Sequence, residues 1–289
     1  MPSQRSNTTW QRVLTLLEKQ HGRPERPAAP PRSPLAQLVL ALLGDDTSER
    51  KAALALRRLE AECVDFNELR VTRPREFAEL AQMVADPVGK AVTISRVLNQ
   101  LVERTGSVDL DFLTQLPITQ ARAFLEQLDD VDARTIASVI LFALGGNAIP
   151  ADASVVRVTK RIGLINRALS AERAQAALER MVPAADRFTF YALMVTHGEA
   201  VCLVKVTRCE DCALKKVCES SRVRAKRSAR STGAKKKATT KKAKAAKKAV
   251  RKTAKNKSAA ASKKRSKKAK KKVTTKKKSG SAARKRSKK

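Results

Sequence analysis

Apolar residues return along this chain at the spacing of a helix. Leu35, Leu38, Val39, Leu42 and Leu43 fall at i, i+3, i+4, i+7 and i+8, the stripe that a 3.6-residue turn lays on one face. Ile94, Val97, Leu98, Leu101 and Val102 repeat that spacing, as do Ile136, Val139, Ile140, Ala143 and Leu144. Ala52, Leu56, Leu59 and Cys63 mark a further stripe, which reads Cys63 as a small core residue. Shorter helices are predicted over 10–20, 120–128, 153–165, 171–181 and 188–199. Alternation long enough for a sheet is absent. Between 24 and 34, five prolines predict a stiff, extended linker. The fold class that follows is all-α.

Charge divides the chain. Its 289 residues carry 62 Lys+Arg against 27 Asp+Glu, a formal +35. Of these, 33 basic residues and no acidic one lie between 221 and 289, so residues 1–220 hold 29 against 27. The segment 221–289 is built from Lys, Ala, Ser and Thr with almost no apolar bulk. It cannot offset chain entropy by burial and is expected to be disordered when free. Lysine runs such as Lys235, Lys236 and Lys237 suit a polyphosphate, because each neutralised phosphate releases a counterion. Linear nucleic acid fits best, and the composition resembles the C-terminal domain of linker histones. A solubilising tail, or a tether to a membrane surface or an acidic protein, stays open. The nearly neutral body is long enough for one or two packed domains. It has no run of some 18 apolar residues, so no membrane span is expected. Residues 1–7 lack the basic-then-apolar pattern of a secretory signal, which points to an intracellular protein.

Cys202, Cys209, Cys212 and Cys218 are spaced C-x6-C-x2-C-x5-C. Four thiolates in so short a loop can wrap one cuboidal iron–sulfur cluster. Tetrahedral zinc and a pair of disulfides are the alternatives. Zinc ribbons usually draw on two C-x2-C knuckles, and one occurs here. Reduced thiols agree with an intracellular location.

These cysteines, preceded by His197-Gly198, combine with two upstream stretches. One is Ala143-Leu144-Gly145, then Ala151-Asp152, then Arg157-Val158. The other is Leu128-Asp129-Asp130-Val131-Asp132-Ala133-Arg134-Thr135. Over roughly 10–220 the sequence resembles the endonuclease III branch of the helix–hairpin–helix DNA glycosylases. The resemblance implies two helical domains with a DNA cleft between them. A six-helix barrel with the hairpin would occupy 34–146. A cluster domain would occupy 147–220, and 1–33 would supply an N-terminal helix packed against it and a proline-rich linker. The basic segment 221–289 follows. It implies a 4Fe-4S cluster on the four cysteines and double-stranded DNA as partner, with Lys205, Arg208, Lys215 and Lys216 on the DNA backbone. A monomer in the cytoplasm and nucleoid, or in a eukaryotic nucleus, is expected.

By the same resemblance Asp152 occupies the catalytic aspartate position. Breaking an N-glycosidic bond builds oxocarbenium charge on the sugar, which a carboxylate stabilises. Asp is also a good N-cap for a helix starting at Ala153. Arg134 stands where bifunctional relatives carry a Schiff-base lysine. A guanidinium stays protonated and cannot attack an aldehyde, so lyase chemistry at that position is not expected. The hairpin glycines are replaced by Asp130 and Asp132, and the DNA-wedging segment by Gly44-Asp45-Asp46-Thr47-Ser48-Glu49. A turn can survive, because Asp tolerates positive φ, but carboxylates aimed at a phosphate would repel it. Two functions follow. One is a glycosylase that removes a damaged base by hydrolysis. The other is an inactive, glycosylase-like DNA-binding or nucleoid-associated scaffold.

Overall fold

The computed structural model describes residues 9–205 and 207–221; the lysine-rich segment, with the readings of disorder and of Lys235, Lys236 and Lys237, lies outside the described residues. Eleven α-helices run through the described residues. The single β-type pairing among them is an isolated bridge between Cys202 and Thr207. None of these helices is long and apolar enough to cross a membrane.

Local signals place the ends. α1 (Trp10–His21) begins at Thr9, whose hydroxyl accepts from the Arg12 N–H. The proline linker then delivers Ser33 as N-cap and Pro34 as first residue of α2 (Pro34–Leu43). Every residue of α2 is buried, so the stripe read from sequence belongs to a helix enclosed on all sides. α3 (Glu49–Glu62), α4 (Phe66–Val71) and α5 (Pro74–Leu80) follow, then the long α6 (Pro87–Thr105). Asp86 caps α6 and Gly106, at φ 79°, ends it. α7 (Ile118–Leu125) and α8 (Ala133–Phe142) form the hairpin pair, and α9 (Ala153–Ile162), α10 (Ala171–Met181) and α11 (Arg187–Ala200) complete the order.

Two predicted helices differ from the observed ones by more than a residue at an end. α7 starts earlier than residue 120 because Pro117 takes its N-cap, and it ends at Leu125. A tight turn then carries the Leu128 N–H to the Leu125 carbonyl, 3.2 Å. α9 stops at Ile162, short of 165, because Gly163 adopts φ 91° and closes the end onto Thr159 O. Cys63 is half-buried and packs against the edge of the first core.

Among the described residues there are two hydrophobic clusters. The first is built by α2 through α8, with Leu38, Leu56, Phe77, Leu98, Leu125 and Ile140 among its most buried side chains. The second gathers α1, α9, α10, α11 and the cysteine loop around Leu17, Val155, Leu178, Phe190, Met194 and Leu214. Fully burying each Leu or Phe is worth about 1.5–3 kcal/mol. α8 serves both: Ile136, Val139 and Ile140 join the first cluster and Leu141 the second. That shared helix sets the hairpin against the start of α9.

Candidate active site

The hairpin closes as a tight turn with aspartates where the resemblance places glycines. Asp130 sits at φ 66°, a left-handed conformation that Asp accepts at moderate cost. The preceding Asp129 N–H donates to Gln100 Oε1 at 2.8 Å, fixing the turn against α6. The carboxylates do not all face outward. That of Asp130 is paired with Arg96 of α6. That of Asp132 caps α8, accepting the Thr135 N–H at 2.7 Å, and lies 3.6 Å from Arg134 Nε. Repulsion of a phosphate by three free carboxylates is thus reduced, because two of the three have protein partners.

Arg134, on the first turn of α8, is a hub. Its side chain is 14% exposed, and its guanidinium lies 3.7 Å from Asp45, 3.6 Å from Asp132 and 3.7 Å from Asp152. It also donates to Ala41 O at 3.2 Å. Asp45 bridges onward to Lys90, whose ammonium is 3.7 Å away and bonded to Leu42 O at 2.8 Å. Burial draws the Lys90 pKa down, partly opposed by Asp45. Lys160 is directed elsewhere, to Leu169 O.

Asp152 precedes α9 in N-cap backbone geometry, yet its side chain makes no capping hydrogen bond. The capping role expected from sequence is therefore not the one its carboxylate fills. Tyr191 of α11 donates to Oδ2, and Arg134 faces Oδ1. Tyr191 is the one tyrosine of the chain, 7% exposed and edge-on to Phe142 at 5.6 Å. Burial raises the Asp152 pKa above the usual carboxylate range; the Tyr191 hydrogen bond and the Arg134 charge oppose that rise, and Asp132 adds to it. Burial and the neighbouring Asp152 push the Tyr191 hydroxyl well above its ordinary value, so it remains a donor.

These groups line a cleft of about 1320 Å³ between α2, the 44–49 loop, α8, α9 and α11. Its walls carry seven carboxylates, Asp45, Asp46, Glu49, Asp132, Asp152, Glu172 and Glu199, and two guanidiniums, Arg134 and Arg157. The cleft is acidic. Glu49 is solvent-exposed at its side chain, but the surrounding protein raises its pKa, with Glu199 and Asp152 adding repulsion. Sequence reasoning did not single out Tyr191, Glu49 as a cleft acid, or Glu199. The signal for Tyr191 was its rarity, a lone phenol in a helix otherwise rich in Phe and Leu.

The cysteine loop lies along α9 and α11. All four of its cysteines are half-buried, and none is in a disulfide. Arg161 donates to Cys202 Sγ at 3.4 Å and to Leu203 O at 2.7 Å. Arg157 donates to Cys202 O at 3.1 Å and to Gly198 O at 3.0 Å. A side chain at Gly198 would meet Ser154 Cβ at 2.9 Å, so the absence of one lets α11 approach α9 here. His197, 1% exposed, stands 3.5 Å from Cys212 Sγ and 3.1 Å from His21 Nε2. Burial, with His21 nearby, lowers its pKa to about 4. It is thus a packing residue beside a cysteine, set before the end of α11. Among the described residues no group of three or more His, Cys, Asp or Glu side chains converges to hold a metal ion. Lys205, Arg208, Lys215 and Lys216 are exposed on the loop.

No family model matches the chain. Sequence similarity finds a candidate DNA glycosylase of Arabidopsis thaliana, 25% identical over 167 residues, covering 58% of this chain and 57% of that protein. A candidate DNA repair glycosylase of Methanocaldococcus jannaschii is 26% identical over 189 residues, covering 63% of this chain and 84% of that one. The chain thus spans little more than half of the Arabidopsis protein's length. Among solved structures, a non-covalent endonuclease III–DNA complex shares the fold with a TM-score of 0.64 and 20% identity, over 76% of this chain and 99% of that one.

Proposed function

We propose that this chain, similar in sequence to DNA glycosylases and in fold to endonuclease III, binds double-stranded DNA and removes a damaged base by hydrolysing the N-glycosidic bond. The observation that carries this reading is the Asp152 carboxylate, turned away from the helix it could cap and held by Tyr191 and Arg134 on the cleft wall. A base flipped out of the stack would enter the cleft. As the C1′–N bond breaks, its electron pair leaves with the base and positive charge grows on the sugar, where ionised Asp152 stabilises it. Water then adds at C1′, and its proton passes to Asp152 or to solvent. Arg134 contributes charge and position; its guanidinium forms no Schiff base. In this reading 34–146 acts as the barrel lobe and 147–220, with the N-terminal helix, as the opposing lobe. The protein works as a monomer inside the cell, where the DNA is.

Cys202, Cys209, Cys212 and Cys218 would hold a 4Fe-4S cluster. In support, the four cysteines lie close enough that Cys218, Cys202 and Cys209 each push the Cys212 pKa upward. Burial is the larger cause, and together they bring it to about 11. A thiol so disfavoured as an anion needs a cationic partner to ionise, which iron supplies. Convergence on a single ion is a tighter demand than a cuboid makes, because a cuboid seats each thiolate on its own iron. When bound, the cluster would staple the loop and hold Lys205, Arg208, Lys215 and Lys216 for the DNA backbone, with the lysines of 221–289 adding sequence-independent affinity.

The acidity of the cleft favours one second reading, a DNA-binding scaffold without turnover. Incubation with a panel of lesion-bearing duplexes, comparing wild type with Asp152→Asn, separates the two. The enzyme reading expects base release that falls by about 10²–10³ in the variant. Intact DNA binding with no release from any duplex would put the scaffold ahead.

A further inference from the structure

We propose that Tyr191 is a positioning residue whose hydroxyl aims the Asp152 carboxylate into the cleft. This inference rests on the reading of Asp152 given above. The geometry sets two destinations for that carboxylate in competition. One is the exposed N–H groups at the start of α9, the ordinary partner of an aspartate at an N-cap. The other is the cleft, where Tyr191 donates to Oδ2 and Arg134 faces Oδ1. The structure shows the second occupied and no side-chain cap bond made.

Arg134 alone does not explain that choice. It lies 3.7 Å from Asp152, beyond a hydrogen bond, and divides its charge among Asp45, Asp132 and Asp152. The Tyr191 bond is the direct one. Its ring is fixed by burial and by the edge-on contact with Phe142, and α11 and α9 approach closely farther along, at Gly198 beyond Tyr191 and Ser154 just beyond Asp152. The phenol therefore arrives on rigid helices from the far wall. The charged groups around Asp152 are Arg134 and Asp132 from the α8 side and Glu49 from α3. Against burial, Tyr191 and Arg134 favour the ionised form, and Asp132 opposes it. A phenol kept protonated can only donate here, so it is a director of the carboxylate and not a proton acceptor.

Tyr191→Phe keeps the ring and its packing and removes the one atom at issue. Two readouts are required. The first is the titration midpoint of the Asp152 carboxyl in the full-length protein, followed by carbon-13 NMR and assigned by its loss in Asp152→Asn. Loss of a hydrogen bond to the ionised form should move the midpoint up by about half a pH unit or more. The second is the pH profile of kcat for base release. Its acidic limb should move up by the same amount, and the plateau should fall about tenfold to a hundredfold with the KM for duplex changed little. In the Asp152→Asn background, Tyr191→Phe should add nothing to the loss. If wild type turns over but neither midpoint nor profile moves, the hydroxyl is a packing detail and the proposal is overturned. If no lesion is released but the midpoint still rises, the glycosylase reading fails and the positioning stands. No release and an unmoved midpoint would sink both.

Discussion

The hairpin and the cysteine loop fail and succeed in opposite ways. In the hairpin, aspartates stand where the resemblance places glycines, and Asp130 takes a left-handed turn at φ 66°. In the cysteine loop the letters are intact, yet the described side chains do not converge into a site for a metal ion. A turn is a property of the backbone, so any residue that tolerates its φ and finds a side-chain partner preserves it. A metal centre depends instead on where several side chains meet, and the four cysteines here are each half-buried. A changed letter thus need not open the turn in the first region, and four cysteines in sequence need not by themselves converge in the second.

The strongest test of that contrast is at the cysteines. Protein purified without oxygen should be brown, with iron and acid-labile sulfide near four each per chain, as a cuboidal cluster requires (about four). Replacing all four cysteines by serine should abolish the colour and destabilise the second core, where Cys202, Cys212 and Cys218 pack beside Leu214 and Val217. Colourless protein carrying zinc would instead make the loop a metal staple of another kind, and its intact letters would then have misled about chemistry as well.

Next in size is the division of DNA affinity between the body and the lysine segment. The body is nearly neutral, and its cleft carries seven carboxylates against two guanidiniums. Most counterion release should therefore come from 221–289. Deleting that segment should flatten the slope of log affinity against log salt by several units, at roughly 0.9 for each phosphate no longer neutralised. An unchanged slope would return phosphate binding to the hairpin and the cysteine loop.

How much of this could be read from the sequence differs by the range of the interaction. The stripes at 35–43, 94–102 and 136–144 gave the helices α2, α6 and α8, because a 3.6-residue period is a local signal and burial follows it. The ends at Pro117 and Gly163 were also written locally: the predicted start of α7 falls short of Pro117, and the predicted end of α9 runs past Gly163. The positions of Asp152 and Arg134 were found through the resemblance, but not that they face each other with Asp45 and Asp132 around one guanidinium. Tyr191 lies 39 residues from Asp152, and no periodicity links a phenol in one helix to the cap of another. Pairings of that kind become visible once packing has brought α9 and α11 together.

The smallest and sharpest test lies in the hairpin itself. If Asp130 replaces glycine by tolerating its dihedral, Asp130→Gly should leave urea stability nearly unchanged. The strain it relieves and the Arg96 pair it removes are each about 1 kcal/mol or less, the pair being part-exposed. Asp130→Ala keeps the left-handed strain without an aspartate's local hydrogen bonding and removes the same pair, so it should cost about 1–2 kcal/mol. The order matters more than either value. Should alanine prove as stable as glycine, the turn would owe its shape to its surroundings, chiefly Gln100 on Asp129, and the letter at 130 would be free. The glycine variant should also bind duplex more tightly by a small factor, because it removes a carboxylate from the DNA side and releases Arg96 to meet a phosphate.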